Sequence, residues 1–319
     1  MYDFDHQRTA GSDPAGGSQP PPASAKPGGT PARALMYAEL PRWVAEYGSS
    51  RVLDLVAPRR PSGRGRPVLV IPGFSANDQL TGRLRHHLRR HGLTVHGWRQ
   101  GRNIGLTDTL IDGLADRFED LVARSDEPIS VVGWSFGGLL ARWLAHTHPD
   151  DVRQVVCLGS PWRAEGERTR ATAMFERSRA KHGISDRAVD MVNLLRGPVP
   201  VPLTAVWSRT DGIVPWRGCT VDPVDPADSA DVAGPVAENV VVPSSHVGLV
   251  ANPLVLDVVV DRLCQDLDDW RTFSWRSALL AKWLGTAPAR SGSTGPSSPA
   301  EPAEPASTAA AQSAQAAQG

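Results

Sequence analysis

Ile129-Ser130-Val131-Val132-Gly133-Trp134-Ser135-Phe136-Gly137-Gly138-Leu139-Leu140 carries the pattern from which the architecture of the chain can be inferred. A short, nearly all-apolar run up to Val132 has the character of a strand buried on both faces, and Phe136 to His146 has the length and apolar spacing of a helix. Between them stands G-x-S-x-G, a pattern that holds a serine on a sharp strand-to-helix turn with its hydroxyl exposed. So tight a turn brings backbone segments together and leaves no room for Cβ atoms at the flanking positions, hence the glycines. Taken alone the motif is short enough to arise by chance. Its context gives it weight, because the serine follows a strand and opens a helix whose N-terminal amides point at an incoming negative charge.

On either side of this segment, short β-branched runs alternate with longer helical segments. The strand candidates are 68–71, 94–98, 129–132, 152–158, 203–207 and 239–242; the helical ones are 78–90, 107–124, 136–146 and 253–267. Leu110, Ile111, Leu114, Phe118, Leu121 and Val122 form one apolar stripe behind Thr107, a residue suited to cap a helix N-terminus. This alternation predicts an α/β protein with a mostly parallel central sheet and helices on both faces. Two inserts interrupt it: 162–200, a small helical cap, and 222–238, an acidic Pro/Ala loop expected to be mobile. Residues 1–34 and 286–319, rich in Pro, Gly, Ser, Ala and Gln, bury too little to offset their ordering entropy and are expected to be disordered tails. One domain over 35–285 remains.

Composition narrows the function without naming one. The 319 residues carry 34 basic and 34 acidic side chains, a balance that speaks against nucleic-acid binding. Cys157, Cys219 and Cys264 are an odd number without metal-ligand spacing, which argues against a disulfide framework and a zinc site. Neither a signal peptide nor a run long enough to span a membrane is visible, so a cytoplasmic location is expected. The segment Trp270 to Leu284 reads best as a helix packed on the domain, with peripheral membrane contact through its basic face as the alternative.

A serine hydroxyl is a poor nucleophile until a base takes its proton, and that base is held in one tautomer by an acid. In strand-to-helix architectures of this kind both partners follow later strands. Asp211 stands in Ser208-Arg209-Thr210-Asp211-Gly212-Ile213-Val214-Pro215 after the strand at 203–207, and His246 in Ser244-Ser245-His246-Val247-Gly248-Leu249 after the strand at 239–242. Glu165 or Glu167, in the insert after the strand at 152–158, is the rival acid. With Pro72-Gly73-Phe74 after the first strand, these pieces make the chain resemble α/β-hydrolase fold serine hydrolases, bacterial esterase and lipase types among them, over about residues 50–268. The resemblance implies Ser135 as nucleophile, His246 as general base and Asp211 as orienting acid, with the Phe136 and Phe74 amides as the oxyanion hole. Pro72 departs from the His-Gly sequence often found at that place, removing a side chain that buttresses the loop.

The expected substrate is a small-molecule carboxylic ester, cleaved through an acyl-enzyme without metal or organic cofactor. Acyl transfer or thioester cleavage by the same triad is the alternative, and a catalytically silent binding protein on this fold a third reading. Trp98, Trp134, Trp162 and Trp216 each lie at or just past a strand end, where lining an apolar pocket and ordinary packing are both open. Arg102, in Gly101-Arg102-Asn103-Ile104-Gly105, either meets a substrate charge or structures its loop. His86, His87, His91, His146 and His148 read as solvated or capping groups, and Cys157 as a small core residue.

Overall fold

The computed structural model describes residues 31–56, 63–162, 180, 190–191, 194–195, 197–222 and 236–276. Glu165, Glu167, most of the insert at 162–200 and of the loop at 222–238, and residues 1–30 and 277–319 lie outside the described residues. The elements run α1 (Arg33–Val56), β1 (Pro67–Ile71), α2 (Gly82–Arg90), β2 (Thr94–Gly97), α3 (Asp108–Val122), β3 (Ile129–Trp134), α4 (Phe136–Thr147), β4 (Val152–Leu158), β5 (Leu203–Trp207), β6 (Ala237–Val241) and α5 (Pro253–Cys264).

Six parallel strands form one sheet in the order β2-β1-β3-β4-β5-β6. The parallel sheet is the one anticipated from the alternating pattern, and it fits the α/β-hydrolase fold that the resemblance implies. Successive residues of a strand point to opposite faces of the sheet, and both faces are covered. Leu69, Ile71, Ile129 and Val131 face one core with Leu114 and Phe118 of α3 and Leu140 and Leu144 of α4. Val68, Val70, Val132 and Trp134 face a second core with Leu84 and Leu88 of α2 and Val255, Leu256 and Val259 of α5. Central strands are therefore buried along nearly their whole length, with Arg153 of β4 half-buried, whereas the edge strands β2 and β6 alternate in burial. The chain leaves β1 toward β2 on one side and returns to β3 on the other, so strand order reverses between β1 and β3. That reversal opens a crevice at the carboxyl ends of the strands, where open α/β sheets build their sites.

Helix ends follow local chemistry. Thr107 caps α3, its side chain accepting from the Leu110 amide at 3.3 Å. Asn252 caps α5 ahead of Pro253, accepting from the Leu254 amide at 2.9 Å. Helix α2 starts four residues later than its spacing predicts. Asp78, expected to open it, instead accepts from the Trp98 and Arg99 amides at 3.2 and 3.1 Å beyond β2.

Helix α1 lies outside the expected helical segments, and it begins at Arg33 and Ala34, inside the stretch expected to be disordered. Its apolar face is turned outward: Tyr37, Leu40 and Val44 are exposed, while Glu39 and Ser50 are buried. Polar contacts fasten it to α2. Arg83 reaches Asp54 at 2.6 Å and the Ser50 hydroxyl at 2.7 Å, and Arg90 donates to the Asp54 carbonyl at 2.7 Å.

His87 lies in the same cluster and corrects its reading as a solvated group: it is buried, with Nδ1 3.2 Å from Asp54. Burial above all, with His91 nearby, outweighs Asp54 and brings the His87 pKa down to about 4. The contact with Asp54 is thus a hydrogen bond of a neutral imidazole, Asp54 taking its charge balance from Arg83 and Arg90. Because the unfolded chain protonates near the ordinary value of 6.5, His87 stabilises the fold fully above that pH and loses the contribution as pH falls toward 4. Replacing His87 by Gln is expected to flatten the acid side of a stability-against-pH curve measured by urea unfolding, by on the order of 3 kcal/mol between pH 7 and 4.

Candidate active site

Ser135 sits between β3 and α4 at φ +54° and ψ −123°, a conformation that L-residues rarely adopt. Packing holds it there. A Cβ on Gly133 would run into the backbone of Gly137 and Gly138, one on Gly137 into the Ile71 carbonyl, and one on Gly138 into Ser160. The Ser135 amide donates to the Leu158 carbonyl of β4 at 2.7 Å, and the Gly138 amide to the Ser135 carbonyl at 3.0 Å, so the turn is tied to the neighbouring strand and to the helix it opens.

The loops after β5 and β6 meet this turn. His246 Nε2 lies 3.0 Å from Ser135 Oγ, and His246 Nδ1 lies 2.7 Å from Asp211 Oδ2. All three sequence candidates are therefore joined in one hydrogen-bonded chain, with Asp211 and His246 buried. The other oxygen of Asp211 accepts from the Ile213 and Val214 amides at 2.8 and 2.7 Å. Those amides fix the carboxylate plane and leave Oδ2 for the imidazole. Burial pulls the His246 pKa down, but the Asp211 charge, the hydrogen bond with it and the Glu39 charge together carry it above the ordinary 6.5. Trp134 supports the histidine from below, donating from Nε1 to the His246 carbonyl at 3.0 Å with the two rings 5.8 Å apart. Gly159, at φ +58°, passes so close that a Cβ would stand 3.4 Å from His246 Nδ1 and 3.5 Å from Asp211.

The Pro72-Gly73-Phe74 loop crosses directly over the serine, since a Cβ on Gly73 would stand 3.1 Å from Ser135 Cβ. The Phe74 and Phe136 rings meet edge to face at 6.3 Å, so the two segments expected to supply oxyanion donors adjoin one another. Asn103 takes over the buttressing that Pro72 cannot give. Fully buried, it donates from Nδ2 to the Pro72 carbonyl at 2.9 Å, accepts from the Ser75 amide at 2.6 Å through its own backbone carbonyl, and donates its backbone amide to the Ala76 carbonyl at 2.8 Å. Ser75 is thereby held at φ +63°. Arg102 donates from Nε to the Ser75 carbonyl at 3.0 Å, which favours the loop-structuring alternative for that residue.

The four tryptophans separate. Trp98 takes the packing alternative: it is wholly buried in the core beside α3, its Nε1 donating to the Gly101 carbonyl at 3.1 Å. Trp134 likewise is buried, under His246. Trp162 and Trp216 remain half-buried. Trp162 donates to the Thr220 carbonyl at 2.8 Å beneath the Arg142 guanidinium, and Trp216 stacks on Trp207 at 4.8 Å. Like Ile104, Phe136, Leu139 and Ile213, they are partly buried apolar residues packed against the core on the α3 and α4 side of the sheet. Cys157 is a core residue as read, its thiol pushed up to about 11 by burial. Among the described residues, no three His, Cys, Asp or Glu side chains are grouped as metal ligands, and no helix is long and apolar enough to cross a membrane.

Two groups at the site have no motif to announce them. Glu39 and Glu46, both on α1, accept from backbone amides of the loops that carry Asp211 and His246. Glu39 and Gly212 stand 173 positions apart, and only the tertiary contact relates them. Asn103 does fall in a segment singled out by sequence, Gly101 to Gly105, but its role depends on which carbonyls the fold places beside it.

A family model described as the alpha/beta hydrolase fold matches residues 121–177, the segment that contains the serine turn. Lipase LipV of Mycobacterium tuberculosis is 32% identical over 132 residues, 37% of this chain and 46% of that protein. Pimeloyl-[acyl-carrier protein] methyl ester esterase of Aliivibrio fischeri is 26% identical over 110 residues, 33% of this chain and 41% of that one. The chain thus spans less than half the length of these curated relatives. A solved structure from work on the metagenome-derived lipolytic enzymes LipS and LipT superposes with a TM-score of 0.48 at 18% identity, covering 62% of this chain and 93% of that one. The sheet order and the match across the serine turn make this chain an α/β-hydrolase fold protein, similar to bacterial lipases and esterases.

Proposed function

We propose that the protein is a serine hydrolase that cleaves a carboxylic ester through an acyl-enzyme. The main support is the continuous chain from Asp211 Oδ2 through both His246 nitrogens to Ser135 Oγ, at 2.7 and 3.0 Å. Ser135 Oγ attacks the ester carbonyl while its proton passes to His246 Nε2, and Asp211 steadies the imidazolium. The carbonyl oxygen takes up the negative charge facing the Phe74 and Phe136 amides, at the N-terminus of α4. Collapse of the tetrahedral adduct expels the alcohol with the proton from His246; water then gives a proton to His246 and attacks the acyl carbonyl, releasing the acid and restoring Ser135. Phe136 and Leu139, which follow the serine, and Ile213 and Trp216, which follow Asp211, are apolar and only partly buried, which suits an ester with an apolar portion. An ester is also the kind of bond named for the methyl ester esterase relatives. A silent binding protein on this fold would have no need of an unbroken chain of three partners, so the geometry weighs against it.

Labelling by a fluorophosphonate tests the nucleophile: the native protein is expected to react and Ser135→Ala not to, with hydrolysis of p-nitrophenyl esters falling at least about a thousandfold. Labelling of the variant, or none of the native protein, would overturn the assignment. Asp211→Asn is expected to lower turnover by roughly 10⁴-fold without changing the melting temperature much, because the imidazole loses its tautomer; Glu165→Gln should leave turnover near native, and the reverse pattern would move the acid. The base works only when neutral, so kcat/KM should rise with pH through a value above 6.5, as the raised His246 pKa requires. Loosening the Pro72–Ala76 loop by Asn103→Ala is expected to lower kcat by roughly ten- to a hundredfold with little change in KM, since the donor it places acts on charge formed only in the transition state.

A further inference from the structure

We propose that Glu39 is a positioning residue of the Ser135 site, a carboxylate delivered by α1 that holds the loops carrying Asp211 and His246 in register with each other. For its catalytic consequence this rests on the hydrolase reading above; the contacts themselves do not.

Glu39 Oε1 accepts from the Gly212 amide at 2.8 Å and from the His246 amide at 3.0 Å, and Oε2 accepts from the Val247 amide at 3.2 Å. One buried carboxylate thus grips the residue directly after the acid and the backbone of the base itself, through charge-assisted bonds stronger than neutral ones. Besides the Asp211–His246 hydrogen bond itself, the other ties between the two loops precede those residues, the nearest being the Thr210 hydroxyl donating to the Ser244 carbonyl at 3.3 Å. The Val242 amide donates to the Trp207 carbonyl at 2.9 Å, and the Ser208 hydroxyl donates to the Ser244 carbonyl at 2.7 Å while accepting from its amide at 3.1 Å. The approach of α1 is close by construction, since a Cβ on Gly212 would collide with its backbone at Leu35 and Met36.

Glu39 is not needed merely to dock α1. Arg42 donates to the Thr210 carbonyl at 2.6 Å and to its hydroxyl at 2.8 Å, Glu46 takes the Ser245 amide at 2.8 Å and its hydroxyl at 2.5 Å, and Asp54 and Ser50 bind Arg83. These anchors hold the helix from Arg42 to Asp54, so its docking does not depend on Glu39 alone. Glu39 also acts through space. The charged groups facing His246 are Asp211 from the β5 loop and Glu39 from α1, both favouring the imidazolium, while Glu46 is bound at the adjacent Ser245 and Arg42 at Thr210. Glu39 therefore supplies a second negative charge beside the base without occupying the hydrogen bond that Asp211 needs.

Glu39→Gln and Glu39→Asp, each in the full chain, separate positioning from simple structural support. Two readouts are followed across pH: the NMR titration of the His246 imidazole, assigned by its disappearance in His246→Asn, and the rate of Ser135 phosphonylation by a fluorophosphonate, normalised to folded protein by circular dichroism. Glu39→Gln is expected to move the His246 midpoint to lower pH and to slow phosphonylation at its plateau by roughly tenfold, the scale of a small misplacement of reacting groups. Glu39→Asp, which keeps the charge but shortens the reach, should hold the midpoint nearer to native while still slowing the reaction. A midpoint unchanged in both variants, with any rate loss tracking only the unfolded fraction, would overturn the proposal. Should Glu39→Gln fail to fold, native midpoint and native rate in Glu39→Asp would overturn it equally. Absence of labelling in the native protein would sink the nucleophile assignment alone, because the titration of His246 still decides whether Glu39 acts on it.

Discussion

A serine at φ +54° between a strand and a helix survives only where the surroundings leave it no alternative, and the rest of this molecule is arranged around that constraint. Gly133, Gly137 and Gly138 let β1, β4 and α4 close on the turn until no Cβ fits. That closeness in turn requires β3 to be central in the sheet, flanked by β1 and β4 and covered on both faces. The strain at one residue is thus borne by two apolar cores, and what it yields is a hydroxyl presented at the carboxyl edge of the sheet with its backbone fixed at both ends.

The partners reach that hydroxyl by a different means. Asp211 and His246 stand on loops, where apolar packing specifies little, and their geometry is set by hydrogen bonds with backbone groups. Asp211 is oriented by the Ile213 and Val214 amides, His246 by the Trp134 indole and by Glu39, and the loop over the serine by Asn103. Hydrogen bonds of buried polar groups give a directional precision that an apolar contact lacks. Helix α1 belongs to this polar scaffold rather than to the cores. It turns Glu39, Arg42, Glu46 and Ser50 inward and leaves Tyr37, Leu40 and Val44 to solvent, an orientation opposite to the usual one for a surface helix.

That inversion explains much of what is and is not legible in the sequence. Strands β4 and β5 can be read to the residue, since a strand buried on both faces is short, rich in β-branched and apolar residues and bounded by polar or turn residues. Boundaries slip at β6, an edge strand whose alternation is weak, and at α2, where Asp78 resembles a helix start but is spent on the backbone beyond β2. Helix α1 shows no apolar stripe directed at a core, so periodicity gives it no signal. His87 misleads for a related reason: among arginines on a short helix it resembles a solvated group, and only the arrival of α1 with Asp54 encloses it. Trp98 and Trp134 sit next to strand ends in the chain, yet the side of the sheet to which each ring turns follows from strand register and twist, and both turn inward.

Fold class, the strand-turn-helix at Ser135 and the places of Asp211 and His246 after later strands could all be read along the chain, because each depends on residues adjacent in it: apolar runs, glycines at a tight turn, a polar residue after a strand. Which polar groups sustain that arrangement was decided by tertiary structure alone. Glu39 lies far from Gly212 and His246 along the chain, and Asn103 far from Pro72, so no local pattern relates them. They meet because parallel strands joined by helical crossovers bring distant loops to one edge of the sheet, where every buried amide and carbonyl must find a partner.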